Sequence, residues 1–123
     1  MIVLGVGVEP GTPAGQLQEA VDALFADAPG LAADQVGTVA TIDTRRDEPA
    51  VRALAAGHRL RTYPAAELDT VDVPHPSPTV RRLTGTGSVA EAAALLAARE
   101  QDPAASLLVG KRRGRGVTVA VAG

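Results

Sequence analysis

Strand-like and helix-like stretches alternate from the first residues of this chain, and that order restricts the fold more than any other feature of the sequence. Ile2 to Val8 is an apolar run punctuated by Gly5 and Gly7, the pattern of a short buried strand. Glu9-Pro10-Gly11 turns the chain. Thr12 is a good N-cap and Pro13 suits the first helical position. Leu17, Ala20, Val21, Leu24 and Ala28 then recur at helical spacing until Pro29-Gly30. Val36 to Ile42 reads as a second strand and Asp43 to Arg46 as a loop. Asp47 is placed to cap a helix that runs to Ala56, with Gly57 at its C-terminal end. Arg59 to Tyr63 alternates around Leu60 as a third, half-buried strand, and a helical turn around Glu67-Leu68 follows. Such alternation predicts a parallel sheet with helices packed on it.

The second half is less regular. Pro74, Pro76 and Pro78 force extended backbone and forbid a central strand between Asp69 and Pro78. Ser77-Pro78 is placed to start a short helix holding Val80 and Leu83, which Gly85-Thr86-Gly87 breaks. Ser88 with Glu91 matches a capping box, and Val89, Ala92, Ala93 and Leu96 form one face of the helix behind it. Leu107 to Val109 and Val117 to Val121 read as two last strands. Lys111 to Gly116 joins them as a tight loop, so they are expected to be antiparallel. The expectation is an α/β fold: a single compact three-layer domain over residues 1–123 with a mixed, mostly parallel sheet of about five strands.

Composition narrows the chemistry. One Phe, one Tyr and no Trp leave a core of Val, Leu and Ala, and they disfavour a stacking platform for single-stranded nucleic acid. The absence of cysteine removes disulfides, thiolate catalysis and cysteine-based metal sites. A net charge of −2 provides no global basic field for DNA. Lys111 is the sole lysine beside eleven arginines; coding bias and the bidentate pairing of Arg with carboxylates both account for that. The apolar opening is too short to span a bilayer and carries no basic leader, so a cytoplasmic protein without membrane partners is expected.

In sheets of this kind the ligand crevice lies beyond the carboxyl ends of the strands. Three polar segments are candidates to meet there. In Gly7-Val8-Glu9-Pro10-Gly11-Thr12, the glycines at 5, 7 and 11 miss the dinucleotide fingerprint by one residue. They are read instead as letting the chain turn from strand to helix. Asp43 stands just past a strand end beside Thr41, Thr44, Arg45 and Arg46. It suits a general base or a ligand-orienting group, and equally a cap on loop amides. Gly85-Thr86-Gly87-Ser88 offers backbone N–H groups at a helix N-terminus, suited to a carboxylate or phosphate and equally to plain capping. Lys111 to Arg115 is the densest positive cluster, either a solvated hairpin turn or an electrostatic gate for a polyanionic small molecule. His58 and His75 share no paired ligand motif; His75, pinned between prolines, suits proton transfer. No metal or cofactor is expected.

Taken together and in order, these segments resemble the CobE proteins of cobalamin biosynthesis and the C-terminal domain of CbiG. GVGVEPGT at Gly5 to Thr12 resembles the family's glycine-rich opening. ATIDTRRDEPAV at Ala40 to Val51 and VPHPSPTV at Val73 to Val80 resemble its two middle segments. TGTGSVAEAAAL at Thr84 to Leu95 is close to the family sequence, and VGKRRGRGVTVAVA at Val109 to Ala122 resembles its ending. The likeness covers nearly the whole chain. Arg45 stands where the family commonly has Lys, His75 where it has Asn, and Val8 where Cys is frequent.

The resemblance implies a role in corrin-ring assembly. In CbiG the whole protein is associated with opening a lactone of a cobalt-precorrin and losing two carbons as acetaldehyde. The present chain resembles only the C-terminal part, so the resemblance implies binding or carrying a corrinoid or precorrin intermediate. Its acetate and propionate groups suit helix N-termini, Arg pairs and Lys111. By motif, the implied ligand-binding positions are Gly7, Thr12, Thr41, Arg45, Ser77, Gly85, Thr86, Gly87, Ser88, Lys111 and Thr118. Asp43 and His75 are the implied catalytic candidates of a lactone-opening hydrolase, with the Ser88 helix N-terminus stabilising the oxyanion. Docking on another cobalamin-pathway enzyme is the third implied role.

Overall fold

Ile2–Val8 forms β1, and it is the middle of the molecule because nearly every residue in it is apolar and buried. A strand buried on both faces needs hydrogen-bonded neighbours on both sides. Here β2 (Val36–Ile42) pairs with it in parallel and β5 (Val117–Ala122) antiparallel. β3 (Arg59–Tyr63) lies parallel to β2 at one edge, and β4 (Leu107–Arg113) antiparallel to β5 at the other. The order is β3-β2-β1-β5-β4. Four strands therefore run one way and β5 alone runs against them, the mixed sheet that the sequence predicts. The computed structural model describes residues 1–74 and 88–123.

Helices cover both faces. α1 (Ala14–Ala26) and α2 (Pro49–Ala55) pack on the face built from Leu4, Val6, Val39, Val119 and Val121, to which α1 contributes Leu17, Val21 and Leu24. The four-residue α3 (Ala65–Leu68) and the long α4 (Val89–Gln101) cover the face of Val3, Ala40, Ile42, Tyr63 and Ala122. α4 approaches unusually closely because small residues meet there. A Cβ at Gly5 would collide with the Ala90 carbonyl oxygen and lie 2.8 Å from Ala94 Cβ. The glycine of β1 is thus required mid-strand by the helix lying on it. This corrects the expectation that Gly5 and Gly7 serve the strand-to-helix turn; Gly11, with φ +78, serves that turn.

Local signals hold in part. Gly57 ends α2 with φ +81, as its position predicts. The caps differ. Pro13 rather than Thr12 occupies the N-cap of α1, and Glu48 rather than Asp47 that of α2, with Pro49 as its first residue. Asp47 pairs with Arg52 instead, at 2.7 Å. Asp43–Arg45 is a 3-10 turn rather than open loop. The largest correction concerns the final hairpin. β4 runs on through Lys111, Arg112 and Arg113, and the loop shrinks to Gly114–Gly116. An edge strand tolerates charge because one of its sides faces water. The helix suggested at Val80 and Leu83 lies outside the described residues. Among the described residues no helix is long and apolar enough to cross a membrane.

The β3 edge is pinned to α4. Arg61 donates three bonds to the Glu100 carboxylate, from Nη2 at 2.8 and 2.9 Å and from Nε at 3.3 Å, and its guanidinium lies 5.5 Å from the Tyr63 ring centre. The Tyr63 hydroxyl donates to Glu100 Oε1. The Arg61 hydrogen bond holds the Glu100 carboxyl below its ordinary pKa, while burial first, and Glu100 second, push the Tyr63 phenol up.

Candidate functional site

The carboxyl ends of β1, β2, β3 and β4 and the start of β5 form one rim, and the motif residues divide across it. On the α1 side, polar groups meet backbone. β1 stays paired with β5 through Val8, but its register with β2 ends at Gly5–Ala40, and side chains from the β2 side take carbonyls beyond that point. Arg45 Nε donates to Val8 O at 2.9 Å. The Thr41 hydroxyl, fully buried, donates to Val6 O at 2.7 Å. The Thr12 hydroxyl donates to Glu9 O at 2.7 Å, with Gly116 O 3.4 Å away. Gly11 N–H donates to Glu48 Oε1 and Glu9 N–H to Gly116 O. These bonds tie the first loop to the β2 turn and to the hairpin. Asp43 stands exposed in its turn, and its backbone carbonyl accepts Arg46 N–H.

On the α4 side the groups face one another instead. Gly7 is paired with Thr118, and Thr118 with Arg113, across three adjacent strands. Residues directly opposite share a face of the sheet, and the face is that of α4. A Cβ at Gly7 would sit 2.7 Å from the Thr118 hydroxyl and 3.5 Å from Val89 Cβ. The missing side chain of Gly7 therefore makes room for Thr118 beside the first turn of α4. Ser88 occupies the N-cap position of that helix without a side-chain cap bond; it is 2% exposed, and its hydroxyl has no hydrogen-bond partner among the described residues. The Ser88–Glu91 capping box does not form. Glu91 is instead fully buried, and its Oε2 accepts the Lys111 backbone N–H at 2.9 Å.

Lys111 and Arg113 come together two residues apart on β4. Burial, and then the Arg113 charge, lower the Lys111 ammonium below its ordinary pKa; the Glu91 charge opposes them. The α4 side thus joins a helix N-terminus, a hydroxyl and two cations, an arrangement suited to carboxylates.

The structure places Gly7, Ser88, Lys111 and Thr118 together and keeps Thr12, Thr41 and Arg45 on the other side of β1. His75, Ser77, Gly85, Thr86 and Gly87 lie outside the described residues. Sequence reasoning missed Glu91 as a site residue and took Arg113 only as part of the Lys111 to Arg115 cluster. Arg113 had a signal, since Lys111 and Arg113 at spacing two share a face if β4 extends that far. Glu91 had none, because its position matches an ordinary capping box.

The family model described as cobalamin synthesis G C-terminus matches residues 2–122. The chain belongs to this family. Within the cobalamin synthesis G C-terminal family, it is 36% identical to Protein CobE of Sinorhizobium sp over 126 residues, covering 99% of this chain and 79% of that protein. It is 27% identical to cobalt-precorrin-5A hydrolase of Priestia megaterium over 124 residues, covering 99% of this chain. The chain spans only 32% of that hydrolase's length. Its fold matches the crystal structure of CobE, a protein from the cobalamin biosynthetic pathway, with a TM-score of 0.90 and 31% identity over 99% of this chain and 92% of that one. Cobalamin biosynthesis protein chiG from Agrobacterium tumefaciens gives a TM-score of 0.71 and 26% identity, with 99% and 97% covered. Family membership makes this a cobalamin-biosynthesis protein.

Proposed function

We propose that the chain binds an anionic corrinoid intermediate, gripping carboxylates on the edge of the ring at the α4 side of the rim. The observation that carries this reading is that β4 pairs Arg113 with Thr118, which lies by Gly7 and Val89 at the start of α4, while the preceding Lys111 is bonded through its N–H to Glu91 in the first turn of that helix. Each cation binds a carboxylate through charge-assisted hydrogen bonds, and several such contacts suit a ring bearing many acetate and propionate arms. Edge binding also agrees with where the aromatics lie. Tyr63 is buried against Glu100, and Phe25 packs on the α1-side core, so neither ring is offered to a flat face of the ligand.

Lactone hydrolysis is the second reading, and likeness to the cobalt-precorrin-5A hydrolase supports it. Exposed Asp43 is its candidate for activating water. A titration separates the two. Cobyrinic acid, a corrin polycarboxylic acid, is added to the protein and the visible spectrum followed. Saturable binding at micromolar concentration that weakens as salt rises supports the carrier reading. No spectral change at that concentration overturns it. Turnover of a lactone-bearing precorrin that Asp43→Asn abolishes establishes the hydrolase instead.

A further inference from the structure

β4 is longer than the stretch of β5 it pairs with, and the surplus falls at two places. Leu107 pairs with Ala122 and Val109 with Val121, leaving Leu108 without an opposite residue. Val109 pairs with Val121 and Arg112 with Val119, leaving one surplus residue at Gly110-Lys111. The second irregularity is a β-bulge beside the proposed binding site. Bulges free a residue from the ladder and re-aim its side chain, and they gather next to functional sites. The N–H of Lys111 donates there to the Glu91 carboxylate of α4, at 2.9 Å.

Glu91 is an unusual residue to find in that place. It is 0% exposed on the first turn of a helix otherwise rich in Ala. A buried carboxylate is costly unless hydrogen bonds and charge compensate it. Helix geometry does not need it, because the capping box it could form is absent. The bulge, by contrast, has a backbone donor turned toward α4 that needs an acceptor.

We propose that Glu91 is a positioning residue: its carboxylate anchors the β4 bulge and thereby sets Lys111, and Arg113 opposite Thr118, by the first turn of α4, where the ligand's carboxylates bind. The inference deepens the corrinoid reading and rests on it for the ligand's identity, while the anchoring of the bulge stands independently. Among the described residues, Glu91 from α4 and Arg113 from its own strand are charged groups that act on Lys111, and β5 brings the uncharged Thr118, Val119 and Ala120 against this stretch.

Electrostatics alone gives the opposite expectation. Removing a negative charge next to Lys111 tightens binding of an anion. Anchoring instead requires that Glu91→Ala weaken binding and that Glu91→Gln, whose amide oxygen still accepts the Lys111 N–H, preserve it.

The test has two readouts. The first is amide hydrogen exchange in the ligand-free protein. Lys111 N–H is expected to stay protected in Glu91→Gln and to lose at least tenfold protection in Glu91→Ala, with the β1 amides unchanged. Equal protection of Lys111 in both variants overturns the anchoring. The second is titration with cobyrinic acid. Glu91→Ala is expected to lose about tenfold in affinity, no further when combined with Lys111→Ala, while Glu91→Gln stays within about threefold of the parent. Multiplying losses in the double variant, or tighter binding by Glu91→Ala, overturns the positioning role. If Glu91→Ala does not fold, Glu91→Gln and Lys111→Ala decide: a loss in Glu91→Gln equal to that in Lys111→Ala overturns it. If the parent protein does not bind cobyrinic acid, the corrinoid reading fails and the exchange result still decides the anchor.

Discussion

On the α1 side of the rim, Thr12, Thr41 and Arg45 direct their donors at the carbonyls of Glu9, Val6 and Val8. On the α4 side, Thr118 and Arg113 stand opposite each other on one face, the Lys111 N–H reaches Glu91 of α4, and the buried Ser88 hydroxyl has no partner among the described residues. Similar residue types stand on both sides, and one backbone detail separates their roles. Where the ladder ends beside a loop, orphan carbonyls take up nearby donors and the polar residues become structural. Where a helix N-terminus meets an antiparallel pair, N–H groups and cationic side chains stand close together, the chemistry that suits an anion. A polar residue in a motif is therefore assigned by what its nearest carbonyl needs. The α1 side is expected to answer to stability measurements and the α4 side to ligand binding.

Gly5→Ala attacks the foundation of the α4 side and carries the largest expected effect. A Cβ there meets the Ala90 backbone, which cannot move aside as a side chain can. A loss of about 3 kcal/mol is expected, seen as a fall in melting temperature on the order of 10 °C. A variant as stable as the parent would show that α4 does not lie against β1 so closely.

Lys111→Glu compared with Thr12→Val cuts between the two sides directly. The first is expected to weaken cobyrinic acid binding about tenfold or more, equal to about 1.4 kcal/mol, with little change in urea midpoint. Thr12→Val is expected to leave binding unchanged and cost about 1 kcal/mol of stability. Reversed outcomes would exchange the roles of the two sides. Thr41→Val repeats that logic where no solvent reaches: losing the buried bond to Val6 O costs about 1 kcal/mol, again without effect on binding.

Glu100→Gln tests the β3 edge, remote from both, and is expected to have the smallest effect. Glu100 titrates below its ordinary pKa in the folded state because Arg61 binds it. Its contribution is therefore present above the unfolded carboxylate pKa of about 4.3 and is lost as pH falls through the lower folded value. With its side chain 39% exposed, the pair is worth less than about 1 kcal/mol. The variant should be slightly less stable than the parent at pH 7, and the gap should close in acid. A gap that widens in acid would contradict the assignment.

Much of the fold was legible because it is written in local periodicity. The apolar run of β1, the helical repeat from Leu17 to Leu24 and the glycine after α2 each signal an element without reference to anything distant. What escaped depends on contacts between remote segments. Lys111 and Arg113 read as turn residues, because charge at a hairpin usually marks the loop; only pairing with Val119 and Thr118 shows that β4 continues. Gly5 reads as a flexible point until α4 is laid over it. Glu91 reads as a cap, since a capping carboxylate and one buried under a bulge occupy the same position after Ser88. The motif residues of both sides could be named from the sequence, but the carbonyls that claim half of them belong to other segments.

Nitrogen-15 chemical-shift mapping with cobyrinic acid tests the division of the rim most directly. Stepwise addition should move the amides of Gly7, Ser88, Val89, Lys111, Arg113 and Thr118, and leave Gly11, Thr12, Thr41 and Arg45 nearly still. Shifts centred on Gly11, Thr12 and Arg45, or no shifts at all, would contradict the account.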